Sequence, residues 1–314
     1  MSGAAHARRQ FAFPVLFVLL WSTGFIAAKY GLPYAPPFKF LLYRFALVAA
    51  LMAMVAFGTR APWPQTPVAM LHVAISAWLV HGIYLGGVFF ALAGGMPAGT
   101  SAMLVGMQPI LTVAIARAWL GERVVPRQWI GLALGLAGVW FVVRHRVGFG
   151  DGMQGLVPSA LALVGISVGT LWQKRFCAHV DLRSGAVIQF AACAVAYLPL
   201  VLLFEGAPVR RTPEFVFALG WSVVVLSVGA ISLLYWMLRH GAAADVARLF
   251  FLVPAVTAML AYPVFGEALD APAIAGMVSI AAGVALARPD RARARHSAHG
   301  DAPVNSSPRR PPSP

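Results

Sequence analysis

The chain has 314 residues, of which 60% are hydrophobic and 11% are charged, and its mean hydropathy is +0.78. Soluble domains carry about 25% charged residues, so this composition excludes a soluble globular protein and predicts an integral membrane protein with several spans. The formal net charge is +14, but the basic residues are scattered between apolar segments, so we expect the lipid bilayer as a partner and no nucleic acid.

Ten apolar segments are long enough to be transmembrane helices of about 20 residues. They predict an all-α integral membrane protein with ten transmembrane helices, preceded by a short N-terminal segment at residues 1–10. Residues 289–314 form a basic, Pro/Ser-rich tail, which we expect to be disordered because it has almost no apolar side chains to bury. In chain order, the ten segments are 11–31, 38–58, 68–93, 97–120, 127–144, 153–174, 184–204, 214–238, 242–266 and 270–287.

The two halves of the chain resemble each other at an offset of 145 residues. Residues 98–139 and 243–284 align without a gap and are identical at 12 of 42 positions. The match continues upstream, where Lys29 corresponds to Lys174. The matches that an apolar composition explains least are Pro109 with Pro254, Gly121 with Gly266, Glu122 with Glu267, Gly131 with Gly276 and Gly138 with Gly283.

The number of spans in each half determines how the two halves are oriented in the membrane. Each half, 11–147 and 152–288, holds five predicted spans, and an odd number means that the second half enters the membrane from the opposite side. We therefore predict two inverted five-helix repeats around a central cavity, which is an architecture of transporters. Of the 24 Lys and Arg residues, 17 fall on the side of the N-terminus and 7 on the other side, which predicts that both termini are cytoplasmic.

Several short motifs occur in the order in which a known transporter family has them. They are Trp21-Ser22-Thr23-Gly24-Phe25 in the first span, Arg44-Phe45 in the second, Gln108-Pro109 in the fourth, and the Gly-Glu pairs that follow the fourth and ninth. With the ten spans, these motifs resemble the EamA-type branch of the drug/metabolite transporter superfamily over residues 11–287. The resemblance implies a bacterial inner-membrane carrier, often an exporter of amino acids, other metabolites or drugs. It also implies a cavity lined mainly by spans one, three, four, six, eight and nine.

Polar residues at mid-membrane are the candidates for a transport site, because polar groups are costly in lipid unless they face the protein interior or a wet cavity. His81 and Tyr84 lie three residues apart in the third span and share a helix face. We predict that His81 contacts substrate or carries a coupling proton, since imidazole titrates near physiological pH; the alternative is a neutral imidazole hydrogen-bonded between helices. Arg44 either binds an anionic group in the cavity or extends to the outer interface.

Two prolines at equivalent positions predict broken helices. Pro109 and Pro254 each remove a backbone donor in mid-span, and broken helices at matching positions of two halves indicate a transport site. The alternative is a kink that only serves packing. Gln108, beside Pro109, offers a donor and an acceptor for substrate.

Aromatic and charged residues near the span ends complete the candidates. Trp21, Trp172 and Tyr235 are predicted to line an aromatic cavity, with a place in the interfacial aromatic belt as the alternative for Trp172 and Tyr235. Asp245 and Arg248 open the ninth span three residues apart. They form either an ion pair in its first turn or a gate.

Charged and small residues that recur in both halves are expected to be structural. Lys29 and Lys174 should extend along the helix ends to the membrane surface, and Glu122 and Glu267 should mark the points where spans end. The glycines of spans five and ten are expected to let these helices pack closely within the chain, with dimerisation as the alternative. They are Gly131, Gly135, Gly138, Gly276 and Gly283.

These features predict a secondary transporter of small organic metabolites, amino-acid-like compounds or drugs, which exports them by alternating access and exists as a monomer or weak homodimer. The alternatives are a membrane-embedded enzyme and a receptor or assembly subunit without transport activity. An enzyme would need grouped acids, histidines or metal ligands. The sequence groups none of them at ligand spacing, so we expect no catalytic site, no metal and no cofactor.

Overall fold

The computed structural model describes residues 3–120, 126–146, 153–233, 237, 249–250, 252–267 and 270–286, and these ranges contain no strand. Two segments are π-helical, π1 (Trp78–Ile83) between α3 and α4, and π2 (Trp221–Ala230) after α10. The α-helices are α1 (Gly3–Gly31), α2 (Pro37–Gly58), α3 (Pro67–Ala77), α4 (Tyr84–Ala93), α5 (Ala98–Val105), α6 (Gln108–Leu120), α7 (Pro126–Arg146), α8 (Met153–Phe176), α9 (Leu182–Phe204), α10 (Pro213–Gly220), α11 (Val253–Phe265) and α12 (Ala271–Leu286).

Local sequence explains where several of these helices begin. Thr66 accepts a hydrogen bond from the Ala69 N–H at 3.2 Å, and Thr212 caps α10 in the same way. Such a cap satisfies one of the amide donors that have no partner inside the helix. The proline that follows each threonine is suited to the first helical position, where its missing N–H removes no helical hydrogen bond.

Seven helical stretches in the described ranges are long and apolar enough to cross a membrane, by length and composition. Two shorter apolar helices, Val253–Phe265 and Ala271–Gly283, follow them. The protein is therefore a multi-pass membrane protein. Within the described residues, the ten predicted segments are mostly helical, with turns at residues 106–107, 250 and 252. The seven stretches are Ala12–Gly31, Pro37–Gly58, Pro67–Ala93, Ala98–Trp119, Gln154–Phe176, Leu182–Phe204 and Pro213–Leu233.

The outer surface of the helix bundle is apolar, as contact with lipid requires. On α9, the side chains of Val195, Leu202, Leu203 and Phe204 are all at least 70% exposed. Soluble proteins rarely expose such a continuous apolar face. The opposite face of α9 carries buried residues, such as Phe190 and Cys193, that pack into the interior.

Contacts between the helices pair the first half of the chain with the second. The helix α2 packs on α9, α7 on α12, and α5 on α11. The helix α3 and π1 pack on α8, just as their counterparts α10 and π2 pack on α1. Exchanging the two halves maps the α2–α9 contact and the α7–α12 contact each onto itself, and it maps the contact of π1 with α8 onto that of π2 with α1. Residues 78–83 of π1 also correspond to 223–228 within π2 at the offset of 145.

Glycines bring α7 and α12 into backbone contact. A Cβ added at Gly283 would lie 2.5 Å from the Gly131 carbonyl oxygen and 2.8 Å from the Gly135 nitrogen. One at Gly138 would lie 3.1 Å from the Gly276 carbonyl oxygen. The repeated glycines therefore pack these two helices within one chain, as the sequence indicated.

Candidate functional site

Both proline positions coincide with breaks between helices. The helix α5 ends at Val105, and α6 begins at Gln108, directly before Pro109. In the second half, α11 begins at Val253, directly before Pro254. A proline has no N–H to donate, so a helix restarts readily at its position and not through it.

The same turn precedes α6 and α11. The Met107 N–H donates to the Leu104 carbonyl at 3.1 Å, and the Leu252 N–H donates to the Leu249 carbonyl at 3.0 Å. Both bonds span three residues instead of the four of an α-helix, and they stand 145 residues apart. The sequence duplication is therefore reproduced in backbone hydrogen bonding.

The two breaks face each other across a close contact. A Cβ added at Gly106 would lie 2.8 Å from Cγ of Pro254. Gly106 is the residue in the turn of the first half, and Pro254 starts the helix after the break of the second half. Only a residue without a side chain allows this approach.

A small cavity lies beside this contact, between the two halves. Its volume is about 30 Å³, which is room for one or two water molecules and too little for a metabolite. No charged side chain of the described residues lines it. Its lining is formed by Trp21, Phe25, Tyr84, Ala102, Val105, Gly106, Gln108, Pro109, Ile166, Phe250, Val253 and Pro254.

An aromatic cluster forms one wall of the cavity. The rings of Trp21 and Phe250 meet edge to face with centroids 5.2 Å apart, and Phe17 packs against both rings. These geometries are the favourable ones for aromatic pairs. The wall combines α1 of the first half with the residues before α11 of the second half.

Hydrogen bonds of polar side chains join the halves around the cavity. The Gln108 amide lies 3.5 Å from Oγ1 of Thr170 on α8. Oγ of Ser22 on α1 donates to the Val253 carbonyl at 3.3 Å, and Oγ1 of Thr257 on α11 donates to the Ser22 carbonyl at 3.5 Å. All of these bonds are at the long end of the usual range, so they hold the halves together weakly.

Arg44 lies inside the protein and does not extend to the interface. Its side chain is 8% exposed, and Nη2 donates to Oγ of Ser227 on π2 at 3.2 Å. It does not border the cavity, but it lies within electrostatic range of Tyr84, which does. The interfacial alternative for Arg44 is therefore wrong, and its contact with a substrate anion stays a prediction.

His81 packs against α9, outside the cavity lining. Its ring stacks on Phe190 with centroids 4.5 Å apart, and Nε2 lies 3.4 Å from Oε1 of Gln189. The Gln189 amide donates to Oγ of Ser76 at 3.2 Å. Arg44 lies within electrostatic range of the imidazole. The role of His81 in proton coupling stays a prediction.

Arg44 and Gln189 occupy equivalent positions and make equivalent contacts. Arg44 on α2 reaches the π-helical segment of the second half, and Gln189 on α9 reaches the π-helical segment of the first half. They differ in charge. In this layer of the protein, formed by Arg44 and Gln189, the two positions are thus equivalent, but their side chains differ in chemistry.

The remaining candidates lie away from the cavity or outside the described residues. Trp172 packs with Trp119, Phe176 and His72 in a separate aromatic cluster. Tyr235, Asp245 and Arg248 lie outside the described residues. Among the residues that the structure does describe, no three His, Cys, Asp or Glu side chains could together hold a metal ion.

Sequence reasoning missed the contributions of Phe25, Gly106 and Phe250 to the lining. Gly106 lies two residues before the Gln108-Pro109 pair. Its closeness to this predicted helix break could have indicated that it lines the cavity. It also missed that Lys29 pairs with Glu267 at 2.6 Å. The place expected for Lys29 at the membrane surface stays a prediction. Each residue of this pair recurs in the opposite half, as Lys174 and Glu122.

Two paired helical halves with a cavity between them, in a multi-pass membrane protein, define the architecture of a membrane transporter. Comparison with known proteins gives the family. The EamA-like transporter family model matches the chain twice, over residues 11–144 and 153–288, so the chain belongs to this family. Family and relatives are transporters rather than enzymes.

Several curated relatives match nearly the full chain. The uncharacterized transporter YvbV of Bacillus subtilis (strain 168) is 26% identical, with 86% of this chain and 88% of that protein covered. A "Probable amino-acid metabolite efflux pump" of Salmonella typhimurium (strain LT2) is 25% identical, with 88% and 94% covered. The uncharacterized inner membrane transporter YedA of Escherichia coli (strain K12) is 24% identical, with 82% and 84% covered.

A solved crystal structure shares the fold. It is 21% identical to this chain and superposes with a TM-score of 0.61, and the match covers 91% of this chain and 97% of the solved one. At this identity, the likeness concerns the fold alone.

Proposed function

We propose that this protein is a secondary transporter that exports small organic metabolites across the bacterial inner membrane by alternating access. In this proposal, ten transmembrane helices form two inverted five-helix repeats, with both termini in the cytoplasm. The observation that carries the proposal is the pair of equivalent helix breaks that meet at Gly106 and Pro254 on the cavity wall. The names of the relatives, an inner membrane transporter and an amino-acid metabolite efflux pump, support the location and the direction.

The symmetry of the contacts supports the mechanism. Alternating access by inverted repeats requires each half to adopt in turn the arrangement of the other. The α2–α9 and α7–α12 contacts map onto themselves when the halves are exchanged, and the π-helical segments lie at matching positions, as this mechanism needs. π-helical segments are frequent where helices serve function.

The lining indicates the class of substrate. Trp21 and Phe250 offer an apolar, aromatic surface, and Gln108 and Tyr84 offer hydrogen-bonding groups. Arg44, which lies within electrostatic range of Tyr84, favours a negative end on the substrate. An amino-acid-like compound with an apolar side chain fits this combination. Because the cavity has room for only one or two water molecules, the walls must separate to admit such a substrate.

Replacing Gln108 or Trp21 with Ala should reduce flux of labelled amino acids into proteoliposomes that contain the purified protein. Loss of one hydrogen bond is worth about 0.5–1.5 kcal/mol, so Gln108→Ala should lower flux about 2- to 10-fold. Trp21→Ala removes an aromatic wall and should lower it about 10-fold or more. Flux by the purified protein alone also separates a transporter from an enzyme or an assembly subunit.

Matched variants on the outer surface provide the control. Gln65 lies exposed in the loop before α3, and Trp129 on α7 is exposed. Gln65→Ala and Trp129→Ala should keep the flux of the unmodified protein. Unchanged flux in both Gln108→Ala and Trp21→Ala would remove the cavity from the proposed function.

Replacing His81 with Gln should uncouple transport from a pH gradient. Glutamine keeps a hydrogen-bonding group near Gln189 but cannot carry a proton in the physiological range. The charged group in electrostatic range of the imidazole is Arg44, and an arginine does not titrate near neutral pH. Accumulation driven by an imposed pH gradient should fall to the level without a gradient, while exchange of labelled for unlabelled substrate persists. Gradient-driven accumulation that is unchanged in His81→Gln would exclude His81 as the coupling group.

A further inference from the structure

The carboxylate of Glu267 connects three helices that line the cavity, α1, α5 and α11. Oε1 of Glu267, which follows α11, accepts a hydrogen bond from Nζ of Lys29 near the end of α1, at 2.6 Å. The same carboxylate accepts from the backbone N–H groups of Ala98 at 2.8 Å and Gly99 at 3.3 Å, at the start of α5. Both α1 and α5 belong to the first half, whereas Glu267 belongs to the second.

The last residues of α11 position both partners of this ion pair. Gly266 ends α11 in the left-handed region, with φ of 68°, which a residue without a Cβ adopts at little cost. The chain then turns so that Glu267 faces α5. Nζ of Lys29 also lies 5.1 Å from the centre of the Phe265 ring, in a cation–π contact. The Glu267 side chain is 9% exposed and that of Lys29 is 25% exposed.

This pair is distinctive among the ion pairs of the described ranges. The other one there, Arg183 with Asp181, is local, and its hydrogen bonds hold the pKa of the Asp181 carboxyl below its usual value. Within the same ranges, Lys29–Glu267 alone joins the two halves through opposite charges. It lies at the end of the cavity remote from the N-terminus of α1.

We propose that Lys29, Glu267 and the first residues of α5 form a gate that closes this end of the cavity. The inference rests on the proposed transport function. Opening this end requires α1, α5 and α11 to separate, and Glu267 must then release both Lys29 and α5. Charged groups suit this task because water solvates each of them when the gate opens, so a partly exposed pair closes and opens at small net free energy.

The sequence duplication agrees with a role in the transport cycle. Lys174 and the Gly121-Glu122 pair stand 145 residues before or after Lys29 and Gly266-Glu267. The combination of a lysine at the end of the first span of a half and a Gly-Glu pair therefore occurs in both halves. A residue pair that served only to cap α5 would not need the lysine.

The test measures access to the cavity from each side of the membrane. Ala102 lines the cavity and is buried, so Ala102→Cys, in a background with Cys177→Ala and Cys193→Ala, reports on access by a membrane-impermeant maleimide. With Lys29→Met or Glu267→Gln, labelling from the Lys29 side should rise about 5-fold or more, because each tenfold change in a gating equilibrium needs only about 1.4 kcal/mol. Lys29→Met leaves the bonds from Glu267 to α5 in place, so it stays informative if Glu267→Gln folds poorly.

Glu205 provides a closely matched control. Its carboxylate accepts from the N–H groups of Phe38 and Lys39, both at 2.8 Å, at the start of α2. It thus bonds one half to a helix start of the other, as Glu267 does, but neither α2 nor α9 lines the cavity. Glu205→Gln should leave labelling unchanged.

The outcomes separate the gate from the transport function. Labelling that rises in the gate variants and not in Glu205→Gln supports the gate, even if no tested amino acid is transported. The gate proposal is overturned if Lys29→Met and folded Glu267→Gln are both labelled no more than the Ala102→Cys protein with an intact gate. This conclusion does not depend on the measured flux. Flux without a labelling change would leave transport intact and remove only the gate.

Discussion

Replacing Gly106 with Val should reduce transport at least about 10-fold while the protein remains folded in the membrane. Gly106 borders the cavity, and its added Cβ would lie 2.8 Å from Cγ of Pro254 and 3.1 Å from the Ala102 carbonyl oxygen. The two further methyl groups of Val would occupy a cavity of about 30 Å³. Overpacking of this kind costs about 1–3 kcal/mol, and a cost of 1.4 kcal/mol already changes an equilibrium tenfold.

The measurement is substrate flux in proteoliposomes, together with the elution profile of the purified protein as the test of folding. Gly220→Val is the matched control, since a Cβ at Gly220 would meet nothing within 4 Å. This control should transport normally. If Gly106→Val transports as well as Gly220→Val, the close contact between Gly106 and Pro254 is not part of the transport path.

Replacing Gly87 with Leu should give the largest loss of stability among the glycine substitutions. A Cβ at Gly87 would overlap the Pro158 carbonyl oxygen and lie 2.9 Å from both Cβ and the backbone nitrogen of Ala162. These are mostly backbone atoms of α8, which cannot rotate away as a side chain can. The helices α4 and α8 must separate, so we expect a loss of about 3 kcal/mol or more in the free energy of unfolding.

Thermal unfolding of the detergent-solubilised protein, followed by retention of a monodisperse elution peak, measures this effect. Gly58→Leu is the control, because Gly58 is exposed at the end of α2 and a Cβ there would meet nothing within 4 Å. A clear drop in the unfolding temperature of Gly87→Leu, with little change in Gly58→Leu, is the expected result. Equal drops would mean that leucine itself is harmful in this protein, irrespective of the α4–α8 contact.

The layer formed by Arg44 and Gln189 shows how a duplicated protein can acquire a specific site. Each residue reaches the π-helical segment of the opposite half, so the duplication provides the same position twice. Arginine in one half and glutamine in the other give these positions different charge. Symmetric positions are suited to the exchange of conformations, and asymmetric side chains at those positions can favour one substrate over another.

Features that depend on neighbouring residues were predictable from sequence. Apolar runs and prolines indicated the helices and the breaks before Pro109 and Pro254, because helix formation and its interruption are local. The motif order indicated the EamA family, and the glycines of α7 and α12 indicated close packing. The π-helical turns were not predicted, since they arise from packing against other helices and have no residue pattern of their own.

The sequence by itself determined the membrane class, the duplication and the family of this protein, because composition, periodicity and matched motifs lie along the chain. The tertiary structure decided which polar groups meet. Lys29 finds Glu267 238 residues away, and Arg44 is buried against Ser227 instead of extending to the interface. Trp21 borders the cavity and Trp172 does not. A polar side chain buried in the membrane is costly unless it has a hydrogen-bonding or charged partner. Which partner it contacts is determined by the packing of helices from both halves.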